Sequence, residues 1–472
     1  MTSANNKNPL PMATEPSGSS PVLDRGPSLA RLKNLAWQAG FFLLVLVNAA
    51  VFIRPMELIA RLEHWPIYST LLLVALVFSL GPVIRQLNWR SLVKNPITAC
   101  VVGWLGVAVL SHPAQLGMRK GIVIGLDLSR CLILYLLVVA MLNTPQRLRT
   151  FLYCLAAFGC VQISMAMLQH YHVVDLAALQ PGLEELDASV RADLITQSRM
   201  YGAGIFHDPN DLGVLAVVAI AVCLYLLTEC LSRRSGSRWV WSVIGVAALG
   251  LCGRGLMLTQ SRGAFVALMV GMATYSVARI GWKKSALLAL LVLPVVLFVF
   301  AGRQTDISVH RTTSQSRLAL WSRSLTLFYH SPLLGIGKGR LVAVTGHVTH
   351  NTFLQCFTDT GFFGGMFFLG AFAVALWAIF AQAAAEAKVR RLRPCLLAML
   401  AAWVAGMLTL SRAYVQPTYV ILGVATAYLN LTARDAGGTR LRLTGSLALV
   451  LVGLSAAYLC GIYIFVHCFH GG

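Results

Sequence analysis

A chain of 472 residues that is 57% hydrophobic and only 12% charged, with a mean hydropathy of +0.72, cannot be the two or three soluble domains its length would otherwise suggest. This is the composition of a polytopic membrane protein. The net charge of +21 comes from 38 Lys+Arg against 17 Asp+Glu, and it sits in short clusters between apolar runs, a pattern of membrane topology that excludes a basic nucleic-acid-binding domain.

Residues 1–34 are rich in Pro and Ser and too polar for a signal peptide, so a disordered cytoplasmic tail is expected there, with the transmembrane domain over residues 35–472. A bilayer core of roughly 30 Å needs about 20 apolar residues per helix. Thirteen runs of that order lie near residues 35–53, 67–84, 97–111, 121–141, 150–169, 211–231, 239–258, 262–280, 285–301, 353–381, 394–411, 414–433 and 442–466. Several are short or abut, so twelve is an equal reading. The expected fold class is all-α: a polytopic transmembrane helical bundle of 12–13 helices with a large periplasmic loop containing amphipathic helices.

With the N-terminal tail inside, the short loops carrying Arg85, Arg90 and Lys94; Arg147 and Arg149; Arg233, Arg234 and Arg238; Arg279, Lys283 and Lys284; Lys388, Arg390, Arg391 and Arg393; and Arg434, Arg440 and Arg442 all become cytoplasmic, as the positive-inside rule demands. The only two long loops, about 170–210 and 302–352, fall on the other side. Loops of that length are usually functional. The second is basic, with Arg303, Arg311, Arg317, Arg323, Lys338 and Arg340 against Asp306, which runs against the orientation rule and calls for an anionic ligand.

The first long loop ends in Arg199-Met-Tyr201-Gly202-Ala-Gly204-Ile-Phe206-His207-Asp208-Pro209-Asn210-Asp211. Asp208 and Pro209 read as a helix cap, which leaves Arg199 beside a positive helix end. Asp208 and Asp211 lack a third ligand at metal-binding spacing, so no metal is expected. Next, Ser261-Arg262-Gly263-Ala264 puts a guanidinium at a helix boundary, able to fork onto phosphate oxygens. Asp127 and Arg130, at i, i+3 spacing within an apolar run, read as a mutual ion pair.

In the second long loop, Leu318, Trp321, Leu325 and Phe328 recur at helical spacing and predict an amphipathic helix that Arg317 begins. Pro332 and Gly335-Ile-Gly337-Lys-Gly339 break it; that glycine cluster lacks the strand before it and the Lys-Ser/Thr after it that a phosphate loop requires. His350, just before the tenth run, is a candidate general base, since neutral imidazole can take a proton from a sugar hydroxyl. The 11 cysteines lie mostly single within apolar runs, with neither disulfide nor zinc spacing, and Cys468 with His467 and His470 sits at a frayed terminus.

The ordered set Arg199-x-x-Gly202, Phe206-x-Asp208-Pro209-Asn210, Ser261-Arg262-Gly263-Ala264, Arg317-x-x-x-Trp321, Pro332-Leu-Leu-Gly335-Ile-Gly337 and His350-Asn351 resembles the O-antigen ligase family of bacterial membrane glycosyltransferases. The resemblance covers about residues 195–370 by motif and the whole chain by hydropathy; family members typically have twelve transmembrane helices. It implies a metal-independent, cofactor-free, inverting transfer of a glycan from undecaprenyl pyrophosphate to a sugar hydroxyl of lipid A core oligosaccharide. The setting it implies is the bacterial inner membrane, with the lipid bilayer as solvent and the active site facing the periplasm. By that analogy His350 is the catalytic base, Arg199, Arg262 and Arg317 bind the donor pyrophosphate, and Tyr201, Asn210, Ser261, Trp321 and Asn351 support them. An O-antigen polymerase and a pilin O-oligosaccharyltransferase share this chemistry with other acceptors. A lipid or glycan exporter, from a different class, calls for repeat-related broken helices that the sequence does not display.

Overall fold

The computed structural model describes residues 27–62, 64–176, 199–232, 237–300, 312–382, 386–435 and 441–470. Thirteen long helices form a bundle and one more lies across its end. In chain order they are α1 (Pro27–Phe52), α2 (Ile67–Gln86), α3 (Pro96–Leu116), α4 (Met118–Met141), α5 (Pro145–His170), α6 (Pro209–Leu231), α7 (Arg238–Thr259), α8 (Arg262–Ile280), α9 (Trp282–Val299), α10 (Thr312–His330), α11 (Thr352–Ala381), α12 (Arg393–Met407), α13 (Gln416–Asp435) and α14 (Gly445–His470). Residues 1–26 of the tail expected over 1–34, and the loop portions 177–198 and 301–311, lie outside the described residues; α1 begins at Pro27 rather than at residue 35.

All thirteen apolar runs are helices. Among the described residues, eleven are long and apolar enough to cross a membrane by length and composition. The two that fall short are α12, with 15 residues, and α13, which is broken up by Thr, Asn and Arg. Both are nevertheless interior: α12 packs on α6 and α8, and α13 on α4. Burial among protein neighbours lets a shorter or more polar segment take its place in the bundle, because its backbone bonds stay internal and its polar groups meet protein rather than lipid.

The bundle has two centres. From Asp211 to Cys223 every residue of α6 is buried, with α5, α7, α8 and α12 around it. The second is α11, enclosed by α3, α10, α12, α13 and α14. By contrast α9 touches mainly α8 and exposes its leucines, with Ser285 its buried residue, as suits a helix facing apolar solvent on most sides.

One end of the bundle carries the short loops. There Glu229 is held between Arg149 and Arg391, at 3.6 Å from each, and Arg147 donates to the Trp37 carbonyl at 3.1 Å while lying over the Trp37 and Phe41 rings. The opposite end, which we call the loop face, carries the described parts of both long loops. Across it lies α10, whose apolar side docks on α11 and α14: Leu318 and Leu325 pack with Leu354 and Val466, and Phe328 meets Phe357 edge-on at 6.2 Å. The predicted amphipathic helix is therefore real and uses its apolar stripe on protein.

A kink in α11 anchors the segment that follows α10. Gly361 takes φ +71°, and the carbonyls of Thr358 and Asp359, freed from the helix ladder, accept from Ile336 and Gly337 N–H at 2.9 Å each. Phe362 N–H in turn donates to the Pro332 carbonyl at 2.7 Å, and Gly335 N–H to Ser331 at 2.9 Å. Gly335 (φ +70°) and Gly361 abut so closely that a Cβ on either would meet the other segment's backbone. The N–H groups of Gly335, Ile336 and Gly337 are thus consumed internally, and the glycine cluster is a helix-kink clasp rather than a phosphate cradle.

Candidate functional site

Five segments converge on the loop face: the stretch before α6, the α7–α8 turn, the start of α10, the approach to α11 and the α12–α13 connection. Their meeting point is Asn210. Its Oδ1 accepts from Ser261 Oγ at 2.7 Å and from Arg199 Nη2 at 3.3 Å, and its Nδ2 donates to Asp208 Oδ1 at 2.8 Å. Arg199 is fixed a second time, its Nε donating to the Thr259 carbonyl at 3.0 Å, while Met200 N–H donates to Leu258 at 3.1 Å. Local sequence explains both helix starts: Asp208 caps α6 with Pro209 at its first position, and the buried Ser261 caps α8 by accepting from Ala264 N–H at 3.1 Å. Arg262 follows as the first residue of α8 and projects from the same turn. Gln260, before it, holds a left-handed φ of +49° that reverses the chain between two nearly abutting helices.

Arg317, Arg262, Asp208 and His350 form one electrostatic group. Burial lowers the Arg317 pKa from its ordinary value, Asp208 works against that shift and Arg262 adds to it. A guanidinium stays protonated even so, which leaves a half-buried charge available to an anion. Burial also pushes the His350 imidazole below its ordinary value of 6.5; Arg317 reinforces the shift and Asp208 opposes it. At neutral pH the ring is uncharged and has a lone pair to offer.

His350 is held in an unusual backbone conformation, φ +51°. A non-glycine residue there costs of order 1 kcal/mol and persists only when its neighbours hold it. Four hydrogen bonds do so. Trp321 Nε1 donates to the preceding Thr349 carbonyl at 2.9 Å, His350 N–H donates to Ser411 Oγ at 3.0 Å, and Asn351 caps α11 by accepting from Leu354 N–H at 3.2 Å and also takes the Tyr458 hydroxyl at 2.9 Å. Trp321 and Asn351 thus hold the chain on either side of His350. Tyr201 lies to one side, its ring against His207 with centroids 5.7 Å apart.

Sequence reasoning missed Arg412. It is ion-paired to the buried Asp211 and interacts with Asp208, and its backbone N–H donates to Thr352 Oγ1 at 2.9 Å, tying α12, α6 and α11 together. The signal was present: an arginine between two abutting apolar runs is the feature that singled out Arg262. Asp208 and Asp211, weighed in the sequence as a metal pair, here serve as helix cap and as the ion-pair partner of Arg412. Among the described residues, Arg199, Arg262, Arg317 and Arg412 stand against the two carboxylates of Asp208 and Asp211, a cationic excess. Asp127 and Arg130 pair with each other at 2.9 Å, as their spacing predicts, and Arg254 donates to the Tyr171 hydroxyl at 2.8 Å.

Among curated proteins none matches the chain. The family comparison falls on the segment that builds most of this site, running from within α7 through the Ser261-Arg262 turn, α10, His350 and the α11 kink. Residues 247–369 of this multi-pass helical membrane bundle match the model of the O-antigen ligase family.

Proposed function

We propose that the protein transfers an O-antigen glycan from undecaprenyl pyrophosphate to a sugar hydroxyl of lipid A core oligosaccharide, on the periplasmic face of the bacterial inner membrane. The observation that carries this reading is the association of a neutral, half-buried His350 with Arg317, Arg262 and Asp208 in one electrostatic group at a membrane face. Phosphate recognition and a proton acceptor then lie side by side, as glycosyl transfer from a lipid pyrophosphate requires.

In this reading the acceptor O–H loses its proton to His350 as its oxygen attacks the anomeric carbon. The bond from that carbon to the pyrophosphate oxygen breaks on the opposite side, inverting the centre, and undecaprenyl pyrophosphate leaves with the electron pair. Arg262 and Arg317, with Arg199 braced behind by Asn210 and Thr259, hold the leaving charge. One guanidinium about 4 Å from one phosphate charge contributes on the order of 4 kcal/mol at an effective dielectric near 20, before desolvation. Because that charge is held, the leaving group needs no strong general acid.

The experiment is transfer by purified protein from undecaprenyl-pyrophosphate glycan to lipid A core in the presence of EDTA, comparing wild type with His350→Ala. EDTA-resistant product with wild type alone is expected. Longer lipid-linked chains instead would make it a polymerase, and glycosylated pilin a protein transferase.

A further inference from the structure

A cavity of about 360 Å³ opens on the loop face, its polar lining including Arg54, Tyr68, Asp127, Arg130, Lys338 and Tyr414. Its size falls within the roughly 300–1,000 Å³ range of small-molecule sites. It shares two walls with the arginine cluster. One is the turn after Arg199: Gly204 (φ +58°) stands where a Cβ would meet Arg54 Nε at 2.6 Å and Glu57 Oε2 at 2.8 Å. The other is the α12–α13 connection, which turns Arg412 to Asp211 on one side and Tyr414 into the cavity on the other.

The cavity's charge does not cancel. Arg54 pairs with Glu57 at 3.0 Å and Arg130 with Asp127 at 2.9 Å. Lys338 lies over the Tyr414 ring, 4.7 Å from its centroid, and among the described residues no carboxylate is within ion-pair distance of it. Its place is built: the clasp at the α11 kink holds Gly337 N–H on the Asp359 carbonyl at 2.9 Å, and Tyr414 is fixed by its hydroxyl on Asp359 Oδ2 at 3.0 Å. The buried Tyr68 hydroxyl beside Gln416 makes no hydrogen bond of normal geometry. A cation in excess, a hydroxyl in reserve and Ser69 and Gln416 nearby suit a polar anion rather than a lipid tail.

Building on the glycosyl-transfer reading above, we propose that this cavity is a second saccharide subsite, which takes a phosphomonoester carried by the acceptor sugar onto Lys338, Arg130 and Arg54. The acceptor's charged group would then be anchored beyond the Arg412–Tyr414 wall, leaving its hydroxyl to reach His350.

Full-length protein in detergent is dialysed to equilibrium against labelled core oligosaccharide released from lipid A, with its phosphates intact or removed by phosphatase. Wild type is expected to bind the phosphorylated form on the order of tenfold more tightly, the effect of one charge-assisted contact. Lys338→Ala should abolish that preference and Lys338→Arg retain it; Arg130→Gln gives the second variant if Lys338→Ala does not fold. Equal binding of both forms overturns the proposal. So does displacement of the oligosaccharide by undecaprenyl pyrophosphate, which would assign the cavity to the donor, or by phosphatidylglycerol micelles, which would assign it to bulk lipid. Because binding is read without turnover, an inactive protein that discriminates sinks the transferase reading alone, and an active one that does not discriminate sinks the subsite alone.

Discussion

The backbone N–H of His350 donates to the hydroxyl of Ser411 at 3.0 Å, so the candidate base is tied to the residue immediately before Arg412, whose side chain is paired with Asp211. Together with Arg412 N–H on Thr352 Oγ1, that bond makes the approach to α11, the α12–α13 connection and the start of α6 one unit. Strain at His350 and charge at Arg412 are held by the same connection.

It follows that Ser411→Ala should act on the base without removing it. We expect a kcat roughly tenfold lower with donor affinity unchanged, against a loss of about 10²–10⁴-fold for His350→Ala. Single-turnover transfer together with donor binding separates the two variants. Equal kcat in Ser411→Ala and wild type would show that the φ +51° conformation is secured without this bond.

Arg262→Gln and Arg317→Gln should each weaken donor binding by about 10–100-fold, the range of a charge-assisted hydrogen bond, and lower kcat further if they also hold the leaving charge. Lysine at either position should recover only part of this, because a point charge does not reproduce a planar fork. Isothermal titration with undecaprenyl pyrophosphate measures the first effect directly.

The pH dependence has a definite sign. Burial and Arg317 lower the folded-state pKa of His350 below the 6.5 of an unperturbed imidazole, so the unfolded chain takes up this proton more readily than the folded one. The associated stability is fully present above about pH 6.5 and is lost as the pH falls through the folded value. The acid limb of kcat/KM should likewise lie below pH 6.5 and vanish in His350→Ala, as a pH–rate profile would reveal.

Removing one partner of the Arg412–Asp211 pair leaves a buried charge uncompensated, with Asp211 only 5% exposed. Arg412→Met or Asp211→Leu alone should cost about 3–5 kcal/mol, while the double variant recovers most of that. Thermal unfolding in detergent of the full cycle tests this; additive losses would mean the two residues act apart.

Gly361→Ala and Gly335→Ala should each disrupt the clasp at the α11 kink, since a Cβ at either would meet backbone of the facing segment and both residues hold positive φ. Loss of protease resistance in the segment between α10 and α11, at unchanged helix content by circular dichroism, is the expected outcome.

Much of this molecule could be read from its residues in isolation. Runs of about 20 apolar side chains place the helices, because a backbone without water must satisfy its own hydrogen bonds, and that holds for each segment regardless of its neighbours. Capping at Asp208, the stripe from Leu318 to Phe328 and the Asp127–Arg130 pair follow from spacing alone, whereas the cap at Ser261 emerged only in the structure. The convergence of Arg262, Arg317 and His350 did not. It depends on which helix ends meet, and that is set by packing around α6 and α11 rather than by any local preference. Arg412 escaped notice for the same reason: its meaning lies in Asp211, some two hundred positions away in sequence and in contact only once the bundle closes. Likewise Gly335 and Gly361 are ordinary loop and helix glycines until the two backbones touch. Hydropathy, summed over neighbours along the chain, determined the helices; side-chain contacts between distant segments, which no sum along the chain contains, decided the site.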